Sequence, residues 1–274
     1  PYVGMPIRTV KKRGTDVFSE SSNDLEFKTT ADGAIHPYIK SSAETSHSFN
    51  DTFTTKYLLN HTFSEFTYDT YGNLTNSGVY VSNSSNPKTA SNRHQTITTN
   101  DYTTSATNKR KGRLFTVDTE KKVYVGGVVK SDISRDSKFE YYAANSSAPM
   151  MLKKEIVSPD NNAFKTTKEY QYDEWGNKSK ETLTSPAFIG SRYTETNYDD
   201  RGRYVFESVN HKGHKTEYTY NNKSSGTITG KVTESKVIDA NGNSVKTQYD
   251  AWGAKIKTEG FDSHGVSFSG GIDA

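Results

Sequence analysis

Polar and apolar positions along this chain alternate in short bursts with a period of two, and the apolar members are mostly tyrosine and phenylalanine. In Thr216-Glu-Tyr-Thr-Tyr220, residues Thr216, Tyr218 and Tyr220 fall on one side, opposite Glu217 and Thr219. In Phe164-Lys-Thr-Thr-Lys-Glu-Tyr-Gln-Tyr172, residues Phe164, Thr166, Tyr170 and Tyr172 share a side, with Lys168 as the exception. This is the period of an extended strand, whose successive side chains point to opposite faces. No 3.6-residue apolar stripe is long enough for a helix, and Ser, Thr, Asn and β-branched residues dominate. The pattern predicts an all-β chain. Even the aromatic side of each strand is mostly Tyr, whose ring packs while its hydroxyl stays hydrated, so the strands suit a sheet wetted on both faces.

Between the bursts stands a repeated octet, Tyr68-Asp-Thr-Tyr-Gly-Asn-Leu-Thr75 and Tyr172-Asp-Glu-Trp-Gly-Asn-Lys-Ser179. An Asp opening a type I turn accepts a hydrogen bond from its own backbone two residues on. A Gly three residues later takes positive φ without a Cβ clash and closes a hairpin through a G1 bulge. The octet therefore reads strand, turn, strand, with Tyr68, Asp69, Gly72 and Asn73 in the first copy and Tyr172, Asp173, Gly176 and Asn177 in the second. Looser copies follow at Tyr198-Asp199 to Gly202, Asn210 to Gly213, Asp239 to Gly242, Tyr249-Asp250 to Gly253 and Asp262 to Gly265. Successive turn acids from Asp173 onward lie 26, 11, 29, 11 and 12 residues apart. The short steps hold one strand and the long ones two more strands and another turn, for which Asn221-Asn222 to Gly226 is the candidate.

The prediction is an antiparallel meander of such hairpins forming a curved, spiralling sheet, one continuous β segment over 1–274. Residues 1–162 are an irregular β region with one octet at 68–75, and 163–268 a regular array. Strand-like runs in the first part are Ile7 to Val10, Glu26 to Thr29 and Thr62 to Tyr68. The Ser/Thr/Asn-rich stretch from Ser82 to Asn108 is open between polar strands and long loops.

Composition would by itself suggest disorder, with only 31% hydrophobic residues and a mean hydropathy of −0.86. The 18 Tyr and 13 Phe, with a net charge of only +3, point instead to an ordered, thin, polar β-structure. With no cysteine there is no disulfide, thiolate metal site or Cys nucleophile. The longest apolar runs, such as Val123 to Val129, fall far short of the ~20 residues of a membrane-spanning helix. The chain opens at Pro1 without a visible signal peptide and reads as a fragment or processed piece of a longer protein.

Candidate chemistry is sparse. Asp239, Asn241, Asn243 and Asp250 fall at calcium-loop positions, but Ser244 stands where that loop requires Gly and Asp250 where it requires Glu. His211 and His214 sit on a turn copy without a third ligand nearby. Lys11 to Arg13 and Lys109 to Arg113 read as solvated loop charge, since 35 basic against 32 acidic residues is no nucleic-acid footprint. Sequons such as Asn60-His-Thr62 arise by composition. Neither a nucleophile elbow nor a phosphate loop is present, and the expectation is no enzyme, no cofactor and no metal.

The two octets resemble the tyrosine-aspartate (YD) repeats of the Rhs superfamily. His36-Pro37-Tyr38-Ile39 is similar to the aromatic-Pro-Tyr segment that precedes those repeats in the B components of Tc-type insecticidal toxin complexes and in SpvB-like proteins. The resemblance covers residues 36–75 and 163–268. It implies a β-strip spiralling into a hollow shell around a toxic C-terminal polypeptide, in a large secreted or cell-surface bacterial protein. The implied partners are the rest of the shell, its cargo and other toxin-complex subunits, with no nucleic acid and no membrane span. Nothing matches the family's self-cleaving core segment, so no catalytic residue is carried over. Animal proteins with the same shell are disfavoured by the lack of cysteine. The alternative is a surface-exposed binding or adhesion module contacting glycans or a protein. A segment of strip exposes strand edges and is expected to self-associate.

Overall fold

The structure, a computed structural model, describes residues 4–50, 52, 55–103 and 112–267. It is all-β, with no helix among the described residues. The backbone divides into two compact units, Pro1–Phe139 with Val157–Pro159, and Glu140–Ile156 with Asp160–Ala274.

The first unit contains β1 (Arg8–Arg13), β2 (Asp16–Thr29), β3 (Ile35–Phe49), β4 (Lys56–Tyr68), β5 (Leu74–Ser82), β6 (Arg93–Tyr102), β7 (Leu114–Val125) and most of β8 (Val128–Tyr141). Each pairs antiparallel with the next. The stretch left open by composition thus holds a ten-residue strand, β6. Residues 104–111, which carry the end of that stretch and Lys109 to Lys111, lie outside the described residues.

The second unit contains β9 (Leu152–Val157) up to Ile156, β10 (Thr166–Tyr172), β11 (Lys178–Thr184), β12 (Ser191–Tyr198), β13 (Val205–Asn210), β14 (Lys215–Tyr220), β15 (Glu234–Ile238), β16 (Ser244–Tyr249) and β17 (Lys255–Phe261). It too is an antiparallel meander, from β9 against β10 through to β16 against β17. Phe164 does not continue the Tyr170 face. It lies in a turn closed by Asn161, whose carbonyl accepts from the Phe164 and Lys165 amides, and is 71% exposed.

Packing is thin in both units. The buried apolar residues among those described are Tyr80, Ala148, Ile156, Tyr170, Phe206 and Ile228. Main-chain ladders and cross-strand pairs carry the sheet instead, among them Lys180 with Glu195 at 2.6 Å and Lys246 with Glu234 at 2.7 Å. Such half-exposed cross-strand pairs each contribute about 1 kcal/mol or less. Before five corners the pairing skips one residue: opposite Tyr68, Tyr102, Tyr172, Tyr198 and Tyr249 the skipped residues are Thr75, Phe115, Ser179, Phe206 and Ile256. A bulge at that point increases the local twist and re-aims the side chains beside it.

Candidate functional site

The predicted corner residues all lie at hairpin turns, where each acid grips its own turn. Asp69 Oδ1 accepts from the backbone amides of Tyr71 at 2.8 Å and Asn73 at 2.9 Å, and Oδ2 accepts from Asn73 Nδ2 at 2.8 Å. Asp173 makes the same three contacts with Trp175 and Asn177, at 2.9, 2.8 and 3.0 Å. Asp239 repeats them with Asn241 and Asn243, at 2.9, 2.9 and 3.2 Å. The closing glycines Gly72, Gly176 and Gly242 have φ of 86–87°, the left-handed region that a Cβ penalises. Asp250 and Asp262 hold two amides each, with Ala254 and Val266 in the asparagine's place. Asn210 does the same as a neutral substitute. The asparagine after the glycine is thus a second clasp, a role that turn propensities do not reveal.

The third corner is wider by one residue. Asp199 Oδ1 accepts from the amides of Arg203 at 2.5 Å and Tyr204 at 3.1 Å, and the Arg203 guanidinium takes over the asparagine's contact at 3.3 Å. The Asp199 side chain is fully buried. Burial opposes its ionisation, but the amides of Arg203, Tyr204 and Ile228 and the Arg203 side chain outweigh that and hold it below the usual carboxylate range. Asp69 and Asp239 are lowered by the same balance, burial against the Asn clasp and turn amides, and Asp250 chiefly by the Ala254 amide.

What covers Asp199 is a strap between β14 and β15. The extra corner forms at Asn221 and Asn222, both left-handed at φ 48° and 63°, between Tyr220 and Lys223, which exchange backbone hydrogen bonds. This is a two-residue hairpin turn, and Gly226 belongs to the strap beyond it rather than to the corner. The strap seats Ile228, 1% exposed, with its carbonyl on Arg203, while Thr227 Oγ1 donates to Asp200 at 3.0 Å.

Corners are also tied to their neighbours through the tyrosine hydroxyl. Tyr102 donates to the Leu74 carbonyl at 3.0 Å, Tyr172 to Leu152 at 2.8 Å and Tyr198 to Lys178 at 3.3 Å. Each acceptor is the first residue of the adjacent strand, and Tyr68 reaches the Ile39 carbonyl within β3 in the same way at 3.4 Å. Asn177 Nδ2 adds a bond to the Gly202 carbonyl at 2.6 Å. This tether gives the strand-end Tyr a contact that Phe could not make, and the alternation pattern alone carries no sign of it.

The His36-Pro37-Tyr38-Ile39 segment lies in β3 beside the first octet. The His36 ring stacks on Tyr38, meets Tyr68 edge-on, and lies where a Cβ on Gly72 would come within 3.3 Å of it. Lys28 donates to the Asp69 carbonyl, with its ammonium 5.7 Å from the centroids of both tyrosine rings.

The remaining candidates stay apart. Asp239 and Asp250 sit in different corners at opposite ends of β16, with the Asp239 oxygens turned onto their own loop. His211 and His214 are exposed on the Asn210 corner, and Lys11 to Arg13 belong to β1. A cleft of about 660 Å³ opens beneath the strap, lined by Asn197, Phe206, Glu207, Lys215 and Glu217 among others. Lys215 lies between the two glutamates at 2.5 and 2.8 Å.

No family model matches the chain, and neither does any curated protein. Among solved structures it aligns over 93% of its length with the crystal structure of TcdB2-TccC3-TEV, at 12% identity and a TM-score of 0.23. The chain spans 17% of that much longer one. It also aligns over 92% of its length with a porin-like protein from Bacteroides uniformis, covering 91% of it at 10% identity and a TM-score of 0.30.

Proposed function

We propose that this chain is a length of wall: a non-enzymatic YD-repeat module of a hollow shell that encloses a toxic C-terminal polypeptide in a large exported bacterial protein. One observation above all supports this. The polar groups of the corners are directed at each other, each acid at its own turn and each tyrosine hydroxyl at the neighbouring strand. Such groups build a continuous surface and leave few free for a substrate. The cargo, the secreted or cell-surface address and the partnership with other toxin-complex subunits rest on the resemblance of the octets.

Protease protection of the parent protein tests containment. The polypeptide that follows the wall should resist digestion until denaturant opens the strands. Digestion at the rate of the same polypeptide expressed alone overturns the proposal. The exposed Trp252, 93% accessible at the Asp250 corner, favours a second reading as a binding module. Specific, saturable glycan binding that is lost in Trp252→Ala would establish it.

A further inference from the structure

We propose that Tyr38 and Tyr68 form an oxidative cross-linking site, a pre-aligned pair that a peroxide-derived one-electron oxidant converts to dityrosine, joining β3 covalently to β4. The chain has 18 tyrosines and no cysteine, so a tyrosine coupling is the covalent staple its composition allows. The two rings are 4.8 Å apart between centroids and inclined at 50°. That brings their facing edges into van der Waals contact.

Both rings are held in place. Tyr68 is tethered to the Ile39 carbonyl, Tyr38 donates to Glu26 Oε2 at 2.8 Å, and His36 flanks both at 5.7–5.8 Å. The Lys28 ammonium faces both rings and makes a ring-centred radical cation costly. Oxidation must therefore release the phenolic proton together with the electron, and for Tyr38 the Glu26 carboxylate is already bonded to that proton. Lys40, 2.5 Å from the other oxygen, keeps Glu26 ionised and its pKa lowered, with the Tyr38 bond adding to the effect. This weakens it as a base, but a phenol radical cation is a far stronger acid than any carboxylic acid, so the transfer still runs downhill.

The balance is simple. Each tyrosine loses one electron and one proton to give a neutral phenoxyl radical. The two radicals couple through ring carbons ortho to the oxygens, and both rings regain aromaticity by moving the ortho hydrogens to oxygen. In total two electrons and two protons leave. A peroxide accepts both electrons by cleavage of its O–O bond: hydrogen peroxide becomes two waters through a haem peroxidase, and persulfate becomes two sulfates.

The chain carries its own comparison. Tyr204 and Tyr220 lie 4.9 Å apart at 47°, nearly the same geometry, yet neither hydroxyl donates to a carboxylate among the described residues. Tyr142 and Tyr172 stand farther apart, at 6.1 Å and edge-on. The expected order of coupling is the Glu26-assisted pair, then Tyr204 with Tyr220, then Tyr142 with Tyr172. The site does not depend on the wall reading; within it, the staple would lock the first octet to the segment before it.

The test is brief irradiation of the whole chain with a ruthenium tris-bipyridine complex and persulfate, followed by peptide mass spectrometry. A Tyr38–Tyr68 linked product, two hydrogens lighter than its parts, should be the most abundant intramolecular link. Tyr38→Phe, which keeps the ring, should abolish it and leave the Tyr204–Tyr220 product unchanged. Glu26→Gln should slow it severalfold, with the far-ultraviolet spectrum verifying the fold. Absence of the Tyr38–Tyr68 product, or a yield no higher than for links through exposed Tyr57, overturns the site. An unchanged rate in Glu26→Gln overturns the proton-acceptor role. Neither result bears on the protease test of containment.

Discussion

Trp175 lies against Gly202 so closely that a Cβ on the glycine would sit 2.5 Å from the Cβ and Cγ of the tryptophan. The two belong to the β10–β11 and β12–β13 corners, and Gly202 also has a φ of +66°. Gly253, at φ +88°, has nothing within 4 Å of the same position. An alanine at Gly253 meets backbone strain alone, at about 1 kcal/mol, whereas Gly202→Ala adds a steric clash and should cost about 3 kcal/mol. Urea unfolding of the two variants measures the difference, and equal losses would remove the packing between corners. By the strain argument alone, Gly176→Val should lower stability more than Lys178→Val.

The tyrosine tethers predict a graded hydroxyl series. Tyr172→Phe removes a 2.8 Å bond to the Leu152 carbonyl and Tyr198→Phe a longer one of 3.3 Å to Lys178. A net intramolecular hydrogen bond contributes about 1 kcal/mol, so Tyr172→Phe should approach that loss and Tyr198→Phe fall below it. Thermal melts of both, with the rings intact, separate the hydroxyl from the packing. If neither variant shifts its midpoint, Tyr is there for its ring and not for its tether.

The fold class and the corners were legible because they are local. Asp69, Gly72 and their later copies fix a turn through contacts within five residues, which spacing alone reveals. The links between corners were not legible, because Tyr102 finds Leu74 and Trp175 finds Gly202 only through strand register. Register is set over the whole ladder, and a bulge beside each corner tyrosine shifts it by one residue. The strap was hidden for another reason. Ile228 is a lone apolar residue in a polar run, and only the folded corner at Asp199 shows what it covers.

Asp199 should give acid unfolding a specific component. Its folded pKa is depressed, so its stabilisation is present above the unfolded value of about 3.9 and is lost as the pH falls through the lower folded value. Asp199→Asn keeps an acceptor for the turn amides but loses the charge opposite Arg203. It should cost on the order of 1–3 kcal/mol at pH 7. The gap between wild type and variant should start to narrow below about pH 4 and close only below the depressed folded value, where both side chains are neutral. Chemical unfolding at a series of pH values from 7 down through the acid limb reads it directly, and a gap that does not narrow as the pH falls would assign the loss to altered packing.

The opposite sign is expected at Asp118. It pairs directly across β7 and β8 with Asp136, and desolvation, then the charges of Asp136 and Asp101, raise its pKa. A carboxyl with a raised folded pKa contributes fully below the unfolded value of about 3.9 and loses that contribution as the pH rises through the folded value. At neutral pH the pair is therefore a penalty, since like charges directly opposite one another destabilise a ladder. Asp118→Asn should stabilise the chain at pH 7 by a few tenths of a kcal/mol, on the scale of exposed cross-strand pairs. Because Asp118 is exposed, added salt should screen the repulsion and shrink the gain. Melts at low and high ionic strength decide the point. A gain that is independent of salt would attribute the effect to the amide's hydrogen bonding, and a loss of stability would show that the carboxylate is matched by a partner charge.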